Sequence, residues 1–423
     1  MSSILNSDPK TVFDYIFNLT VPGVKLELSR VVQFMKILGN PYQAYKTIHV
    51  AGTNGKGSTS AMLAAIMTAL GVKTGLFTSP HLIKPNERVR IGKTLIPDDF
   101  IIEKVDAWRP HIETLEITFF EVLTALAMVY FKEQKVEYVV LETGLGGRLD
   151  ATNVVDPILS VITAISMDHE NILGETLEKI ALEKAGIIKP GKPLILGQNK
   201  PAIQRIMRTR CHETRSVIIE VPRHVQIVEV DSHLNGQLVS LKIQDQTISV
   251  NLPLLGSHQV ENFSNVLVAL SQLGFALDSS IIQEGLDAMH WPGRMQRLHE
   301  NPTILYDVAH NLGGLQRLMD SLREIKLQDT ILIAALNARK NISAMVPFLE
   351  SWSGPVLYTA FKGHSSLDPE SLRRFGMSSE RIFNNPAEAY AQALRMLAHP
   401  GQVICFLGSH YLAESLFDLF SIE

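Results

Sequence analysis

The 423-residue chain has only two cysteines, Cys211 and Cys405, far apart in sequence. That count excludes a disulfide framework and suits a reducing compartment. Neither cysteine sits in a zinc-ligand spacing, so zinc is not expected. A surplus of one charge is also missing: 39 basic against 43 acidic residues leave a net −4. Nothing in that balance points to nucleic acid or to an anionic membrane as a partner. Long hydrophobic runs are absent. The longest, Phe119 to Phe131, is too short for a bilayer and carries Glu121. Met1 to Lys10 has neither a basic n-region nor an apolar core, so no signal peptide is read there. Internal repeats and low-complexity tracts are absent too. What remains is 46% hydrophobic and 19% charged residues, a composition of folded domains. The length suits two or three of them. A soluble, cytoplasmic protein is expected.

What is present is led by Ile48-His49-Val50-Ala51-Gly52-Thr53-Asn54-Gly55-Lys56-Gly57-Ser58-Thr59. A short apolar run feeds a glycine-rich turn, and an apolar helix follows at once. Glycines let backbone N–H groups close around phosphate oxygens. The helix N-terminus adds a favourable dipole for an anion. Lys56 can reach the outer phosphates, and Ser58 or Thr59 a magnesium ion. The string departs from G-x-x-x-x-G-K-[ST], because Gly57 separates Lys56 from Ser58. A ligand-free turn is the bland alternative, and it leaves the lysine unexplained.

Residues 1–45 read as mainly helical, with an irregular piece at Val21–Lys25. Strand candidates follow at Thr47–Ala51, Lys73–Thr78, Tyr138–Leu141, Leu159–Ile165 and Pro193–Gly197. Helix candidates lie between them, at Ser58–Leu70, Thr118–Lys132 and Thr176–Ala185. Apolar strands alternating with helices predict an α/β fold with a parallel sheet covered on both faces. From about 217 to 255 the runs shorten and alternate, and Asn235-Gly236 reads as a hairpin turn. This is expected to be a small antiparallel elaboration on the first domain. A helix is expected at Val260–Leu273. Trp291-Pro292-Gly293-Arg294 breaks the pattern. The expected domains are therefore 1–293 and 294–423. The second is a smaller, Rossmann-like α/β unit with strands at Thr303–Val308, Thr330–Leu336, Pro355–Ala360 and Gln402–Leu407.

In open parallel sheets, ligands bind beyond the carboxyl ends of strands. Besides the glycine-rich loop, polar clusters fall there at Thr78–Leu82, Glu142–Asp150 and Ser166–Glu170. A carboxylate directly after an apolar strand is costly without a partner, and magnesium is a natural one for Glu142. A helix cap or a surface ion pair is its bland reading. His169 and Ser79 could be plain turn residues or metal ligands. Lys184 reads only as a lysine near a helix C-terminus. The second domain offers Asp307 with His310, and Ser409, at its own strand ends; plain loops are the alternative.

Together these segments resemble the folylpolyglutamate synthase and dihydrofolate synthase family, relatives of the Mur ligases. The resemblance rests on Gly52–Ser58, Thr78–Leu82 with Glu87-Arg88-Val89, Thr118–Glu121, Leu145–Asn153 and Asp307–Asn311, in that order. It implies ATP-dependent amide formation. A pteroate or folate carboxylate attacks the γ-phosphate, and the amine of L-glutamate then attacks the acyl phosphate. It implies that Thr53, Asn54, Gly55, Lys56, Gly57 and Ser58 hold the phosphates, with Asn262, Arg294 and Asp307 also contacting ATP. Ser79, Glu142 and His169 would hold Mg2+. Lys184 would be the family's carbamylated lysine, which overturns its bland reading. Thr118, Phe119, Phe120, Glu121, Leu149, Asp150 and Ala151 would lie on the pterin side, joined by the Val24–Leu26 loop. His310 and Ser409 would lie near the incoming glutamate. The implied catalytic set is Lys56, His169, Lys184, Asp307 and His310. The resemblance also implies a monovalent cation, small-molecule substrates only, and a monomer.

Three residues depart from the family pattern: Leu312 for proline, Phe263 for alanine and Asn341 for aspartate. They bear on the adenine and glutamate sides and leave every phosphate and metal group in place. One rival reading is a Mur ligase acting on a UDP-linked precursor. Such enzymes generally carry a dedicated N-terminal UDP domain, and only residues 1–45 precede the first strand candidate here. Another rival is a regulatory P-loop ATPase. A guanine-reading Asn-Lys-x-Asp string is absent. Monofunctional chain extension and a bifunctional enzyme that also makes dihydrofolate both remain open.

Overall fold

The computed structural model describes residues 9–19, 27–363 and 365–422. The β-branched runs of the first half form one sheet. Its strands are β1 (Lys46–Ala51), β2 (Thr74–Phe77), β3 (Val89–Ile91), β4 (Thr94–Leu95), β5 (Tyr138–Glu142), β6 (Leu159–Ile162), β7 (Leu194–Leu196) and β8 (Ile218–Glu220). The spatial order is β4-β3-β2-β5-β1-β6-β7-β8. The six strands from β2 to β8 in that order run parallel, and β3 and β4 close one edge antiparallel. Every residue of β2, β6 and β7 is buried, as in a sheet with helices on both faces. One core gathers Phe77, Val122, Leu126, Phe131, Val139 and Leu141. Another gathers Ile162, Ile180, Ala181, Leu194, Leu196 and Ile203.

This strand order sets the position of the site. β1 lies between β5 and β6, and the chain turns from one flank of β1 to the other. That makes β1 the topological switch point, where open α/β sheets bind ligands. The loops after β2, β5, β1 and β6 all leave the same edge. β6 is shorter than the expected Leu159–Ile165. After Ile162 the backbone turns away, and Ala164 O accepts the N–H groups of Thr53 and Asn54, at 2.9 and 3.2 Å.

Three further strands, β9 (Val225–His233), β10 (Gly236–Ile243) and β11 (Gln246–Leu252), form a sheet in the order β11-β10-β9. Two-residue loops make both connections, which requires antiparallel pairing. The first loop is Leu234-Asn235, one residue earlier than expected, and Gly236 opens β10 at φ +137°. The chain divides into two compact units. One comprises Met1–Ile227, Leu241–Val250 and Glu261–His290; the other comprises Val228–Ser240, Asn251–Val260 and Trp291–Glu423. The three-stranded sheet is thus divided between the units rather than belonging wholly to the first.

The second unit carries β12 (Gln296–His299), β13 (Ile304–Asp307), β14 (Ile331–Ala334), β15 (Val356–Thr359), β16 (Ile382–Phe383) and β17 (Ile404–Leu407). Their order is β12-β13-β17-β14-β15-β16, parallel except for β12. Its core includes Leu305, Leu315, Leu322, Leu332 and Leu407. No described helix is long and apolar enough to cross a membrane.

Candidate active site

The glycine-rich loop joins β1 to the helix Lys56–Ala69. Two of its glycines are there for space. A Cβ on Gly52 would stand 1.9 Å from Thr163 Oγ1, and one on Gly55 would stand 2.2 Å from Asn262 Oδ1. Gly55 also sits at φ +87°, a region costly for any side chain. The loop is fastened to the segment after β6. Thr163 Oγ1 donates to Asn54 O at 2.8 Å, Thr53 Oγ1 to Ser166 O at 3.0 Å, and Asn54 Nδ2 to Ser166 Oγ at 2.9 Å. The Thr53 and Asn54 side chains and N–H groups therefore shape the loop, which leaves the N–H groups at the start of the following helix and Lys56 to face an anion. Gly57 and Ser58 are buried in the first helical turn. Thr163, which the sequence pattern placed inside the strand Leu159–Ile165, is a further candidate site residue; its one signal was a hydroxyl near the end of that apolar run.

Beside the loop, Lys56 Nζ lies 3.9 Å from Glu142 Oε1, and Glu142 is 3% exposed. Glu142 Oε2 accepts the Ser79 N–H at 3.1 Å. Ser79, Glu142 and Lys56 thus come together from the ends of β2, β5 and β1, three adjacent strands. Glu87 braces the loop that carries Ser79. Its carboxylate accepts the N–H groups of Leu82, Ile83 and Lys84 at 2.8, 2.9 and 2.7 Å. His169 follows β6, exposed, at φ +52°. Its Nε2 lies 3.9 Å from Asp168 Oδ1. Among the described residues, no group of three or more His, Cys, Asp or Glu side chains is arranged to hold a metal. The oxygen pair of Ser79 and Glu142 suits a hard cation that keeps several waters and binds phosphate as well.

Lys184 is not serving its helix C-terminus. It is 4% exposed, and its Nζ donates to Gly52 O at 2.7 Å. Burial, helped by the charge of Lys56, pushes its pKa down to about 7. The helix Leu177–Ala185 therefore delivers a buried amine of much lowered pKa to the glycine-rich loop.

On the other side of the sheet edge, Thr118 caps the helix Phe119–Glu133. Its hydroxyl accepts from Glu121 N, and Glu121 Oε2 accepts from Thr118 N at 2.8 Å. Glu121 Oε1 lies 3.7 Å from Arg30 Nη2, and Phe119 and Phe120 are half-buried. Phe120 packs over Gly144, where a Cβ would come within 2.4 Å of Cζ. Arg88 crosses the Phe119 ring at 5.2 Å and donates to His81 Nδ1 at 2.8 Å. Leu149 is half-exposed, while Asp150 and Ala151 are buried. Asp150 accepts the N–H groups of Leu145 and Thr152 at 2.7 and 3.0 Å, plus the Thr152 hydroxyl. Burial raises its pKa, and these hydrogen bonds oppose the rise. Its carboxylate thus organises its own loop. The Val24–Leu26 loop lies outside the described residues.

In the first unit, Asn262 is 3% exposed and reaches the space above Gly55. Phe263 beside it is wholly buried, so it acts as core. In the second unit, Asp307 ends β13 and accepts the N–H groups of Met295 and Ala309 at 2.9 and 2.8 Å. Burial raises its pKa, and the neighbouring Arg294 draws it back. His310 Nδ1 lies 2.9 Å from Val308 O, and its ring lies 5.1 Å from that of His410. Ser409 is 3% exposed at the end of β17, and its carbonyl accepts from Tyr306 Oη at 2.9 Å. Leu312 opens the next helix half-exposed, and Asn341 caps another by accepting from Ala344 N at 3.2 Å.

Two family models match. Residues 50–270 match the Mur ligase middle domain, and residues 293–410 match the Mur ligase glutamate ligase domain. The chain is 34% identical over 399 residues to a folylpolyglutamate synthase of Lacticaseibacillus casei, covering 92% of each protein. It is 35% identical over 408 residues to a dihydrofolate synthase/folylpolyglutamate synthase of Bacillus subtilis, covering 93% of this chain and 95% of that one. Its fold is similar to the Mycobacterium tuberculosis folylpolyglutamate synthase complexed with ADP. The TM-score is 0.90 at 28% identity, over 98% of this chain and all of that one.

Proposed function

The chain belongs to the folylpolyglutamate synthase and dihydrofolate synthase family, and we propose that it activates ATP in the cluster around Gly52–Ser58. It is an ATP-dependent ligase that adds L-glutamate to folates. A substrate carboxylate oxygen attacks the γ-phosphorus, and ADP leaves. The glutamate amine then attacks the acyl carbon, forming the amide as phosphate departs. Such chemistry needs placement and charge neutralisation more than covalent help.

The loop N–H groups and Lys56 meet the growing negative charge. Asn262, Arg294 and Asp307 contact the nucleotide. Mg2+ would be held by Ser79 and Glu142, with His169 as a further ligand, and when bound it neutralises phosphate charge. Lys184, whose lowered pKa leaves a sizeable fraction of its amine unprotonated near pH 7, is the group that can take up carbon dioxide as a carbamate. The carbamate nitrogen keeps one hydrogen for Gly52 O. Thr118–Glu121 and the loop around Leu149–Ala151 lie on the folate side. His310 and Ser409 receive the incoming glutamate. We place the enzyme in the cytoplasm as a monomer, in keeping with two free, buried cysteines.

The observation that carries this reading is the Lys56–Glu142–Ser79 cluster at the ends of three adjacent parallel strands. The test offers purified protein Mg-ATP, glutamate, and either dihydropteroate or tetrahydrofolate. Phosphate release and product mass are then followed. Release should require both acceptors, and the product should gain one glutamyl unit. Activity with both dihydropteroate and tetrahydrofolate means a bifunctional enzyme, and with tetrahydrofolate alone, chain extension only. Full turnover without either acceptor would refute the ligase reading.

A further inference from the structure

We infer that His49 is a positioning residue for the folate side of the site, acting through Thr152 and Asp150. This deepens the proposed function and rests on its assignment of Leu149–Ala151 to the folate. His49 lies inside β1, between Ile48 and Val50, three residues before the phosphate loop begins. It is wholly buried, flanked along the strand by the apolar side chains of Ile48, Val50 and Ala51. A polar ring in such a place needs a partner, and an aliphatic side chain would have met no such demand.

The partner is Thr152. His49 Nε2 lies 2.8 Å from Thr152 Oγ1. The single Thr152 hydroxyl hydrogen goes to Asp150 Oδ1. Nε2 must therefore carry the proton and donate, which fixes the tautomer. The chain continues through Asp150, which accepts the N–H groups of Leu145 and Thr152. One run of hydrogen bonds thus starts on the phosphate-loop strand and grips both ends of the 145–152 loop. The loop's other side is held by the helix that carries Lys184. Arg148 N donates to Glu183 O at 2.7 Å, and Asn153 Nδ2 donates to Arg148 O and Gly186 O at 2.9 and 3.2 Å.

The cost of the arrangement also speaks for placement. His49 Nδ1 is buried with no hydrogen-bond partner. Leaving a buried acceptor unsatisfied is unfavourable, so a purely stabilising role would be better filled by an apolar residue. A buried polar chain with one sense of direction instead specifies a single loop geometry. Asp150 spends its oxygens on this task, so it acts on substrate through the shape of the loop.

The test measures KM for folate and for ATP, kcat, and melting temperature in the full-length enzyme. His49→Phe should raise the folate KM about tenfold and leave the ATP KM within about twofold. His49→Gln, which keeps a donor near the Nε2 position, should restore most of the loss. Thr152→Val should match His49→Phe, and the double variant should be no worse than either single one. An unchanged folate KM in His49→Phe, an equal rise in both KM values, or additive losses in the double variant would overturn the inference. Leu149→Ala separates the two readings, because it touches the loop surface and not the buried chain. If Leu149→Ala raises the folate KM and His49→Phe does not, only the role of His49 fails. If neither does, the folate-side assignment fails.

Discussion

Replacing Lys184 by methionine removes a buried amine without emptying its space, and the consequence can be worked out from burial alone. The folded protein holds the Lys184 pKa near 7, against an ordinary 10.5, first through burial and then through the charge of Lys56. A fall from 10.5 to about 7 corresponds to on the order of 5 kcal/mol between the two protonation states. The folded value is the lower one. Between pH 7 and 10.5 the unfolded chain therefore binds more protons than the folded one, and stability rises with pH across that window. Below about 7 both states hold the proton and the penalty is constant. Lys184→Met lacks this titration. The difference in unfolding free energy, wild type minus variant, should climb by several kcal/mol, roughly 3 to 5, from pH 7 to 10. Denaturant unfolding in CO2-free buffer measures it. A carbamate on Nζ would abolish the titration, so returning bicarbonate should flatten the wild-type slope and leave the variant alone. Intact mass under mild conditions should show the added CO2. Identical slopes for the two proteins without CO2 would refute the picture of a buried amine.

Lys56→Ala should lower phosphate release by about two to three orders of magnitude, as expected when a transition-state charge partner is lost; a rate within tenfold of wild type would remove Lys56 from the chemistry. Gly55→Ala places a methyl 2.2 Å from Asn262 Oδ1 at φ +87°. A strain of about 1 to 2 kcal/mol or more should weaken ATP binding tenfold or beyond, read by calorimetry; unchanged affinity would mean that Asn262 does not fix the loop. Asp307→Ala strips the acceptor from Met295 N and Ala309 N and leaves Arg294 without its neighbouring carboxylate. It should lower the melting temperature and cut kcat/KM for ATP, with Asp307→Asn milder in both; unaltered ATP kinetics would leave Asp307 a purely structural residue.

Much of the fold was legible because it is written in local patterns. Largely apolar runs of four to seven residues between helical stretches located β1, β2, β5, β6 and β7, and the α/β class followed. The ends ran long wherever an apolar run continued past the sheet, as at Thr163 and Ala164, which leave β6 to bind Asn54 and Thr53. The edge strands β3 and β4 are three and two residues long, too short for a period of two to register. The division of the three-stranded sheet between units was also invisible, because alternation reports which face is buried and not against what.

The site divides along the same line. Ser79 and Glu142 were readable because each lies at or just past the carboxyl end of a strand, and parallel strands bring those ends to one edge. Local pattern showed neither Lys184, which only the family resemblance singled out, nor His49, and the reason is sequence distance. Lys184 binds Gly52 O across 132 positions, and His49 binds Thr152 across 103. Locally, one looks like a lysine near a helix end and the other like an interruption in an apolar strand. What reveals each is the same physical demand: a polar group taken wholly out of water must find a partner or change its charge. Lys184 meets the demand partly by titrating down, His49 by fixing a tautomer. Lys184 touches the phosphate loop itself, and His49 lies on the strand that leads into it. A search for interior polar groups near a phosphate loop, rather than for further motifs, is therefore the route to the residues that local patterns conceal.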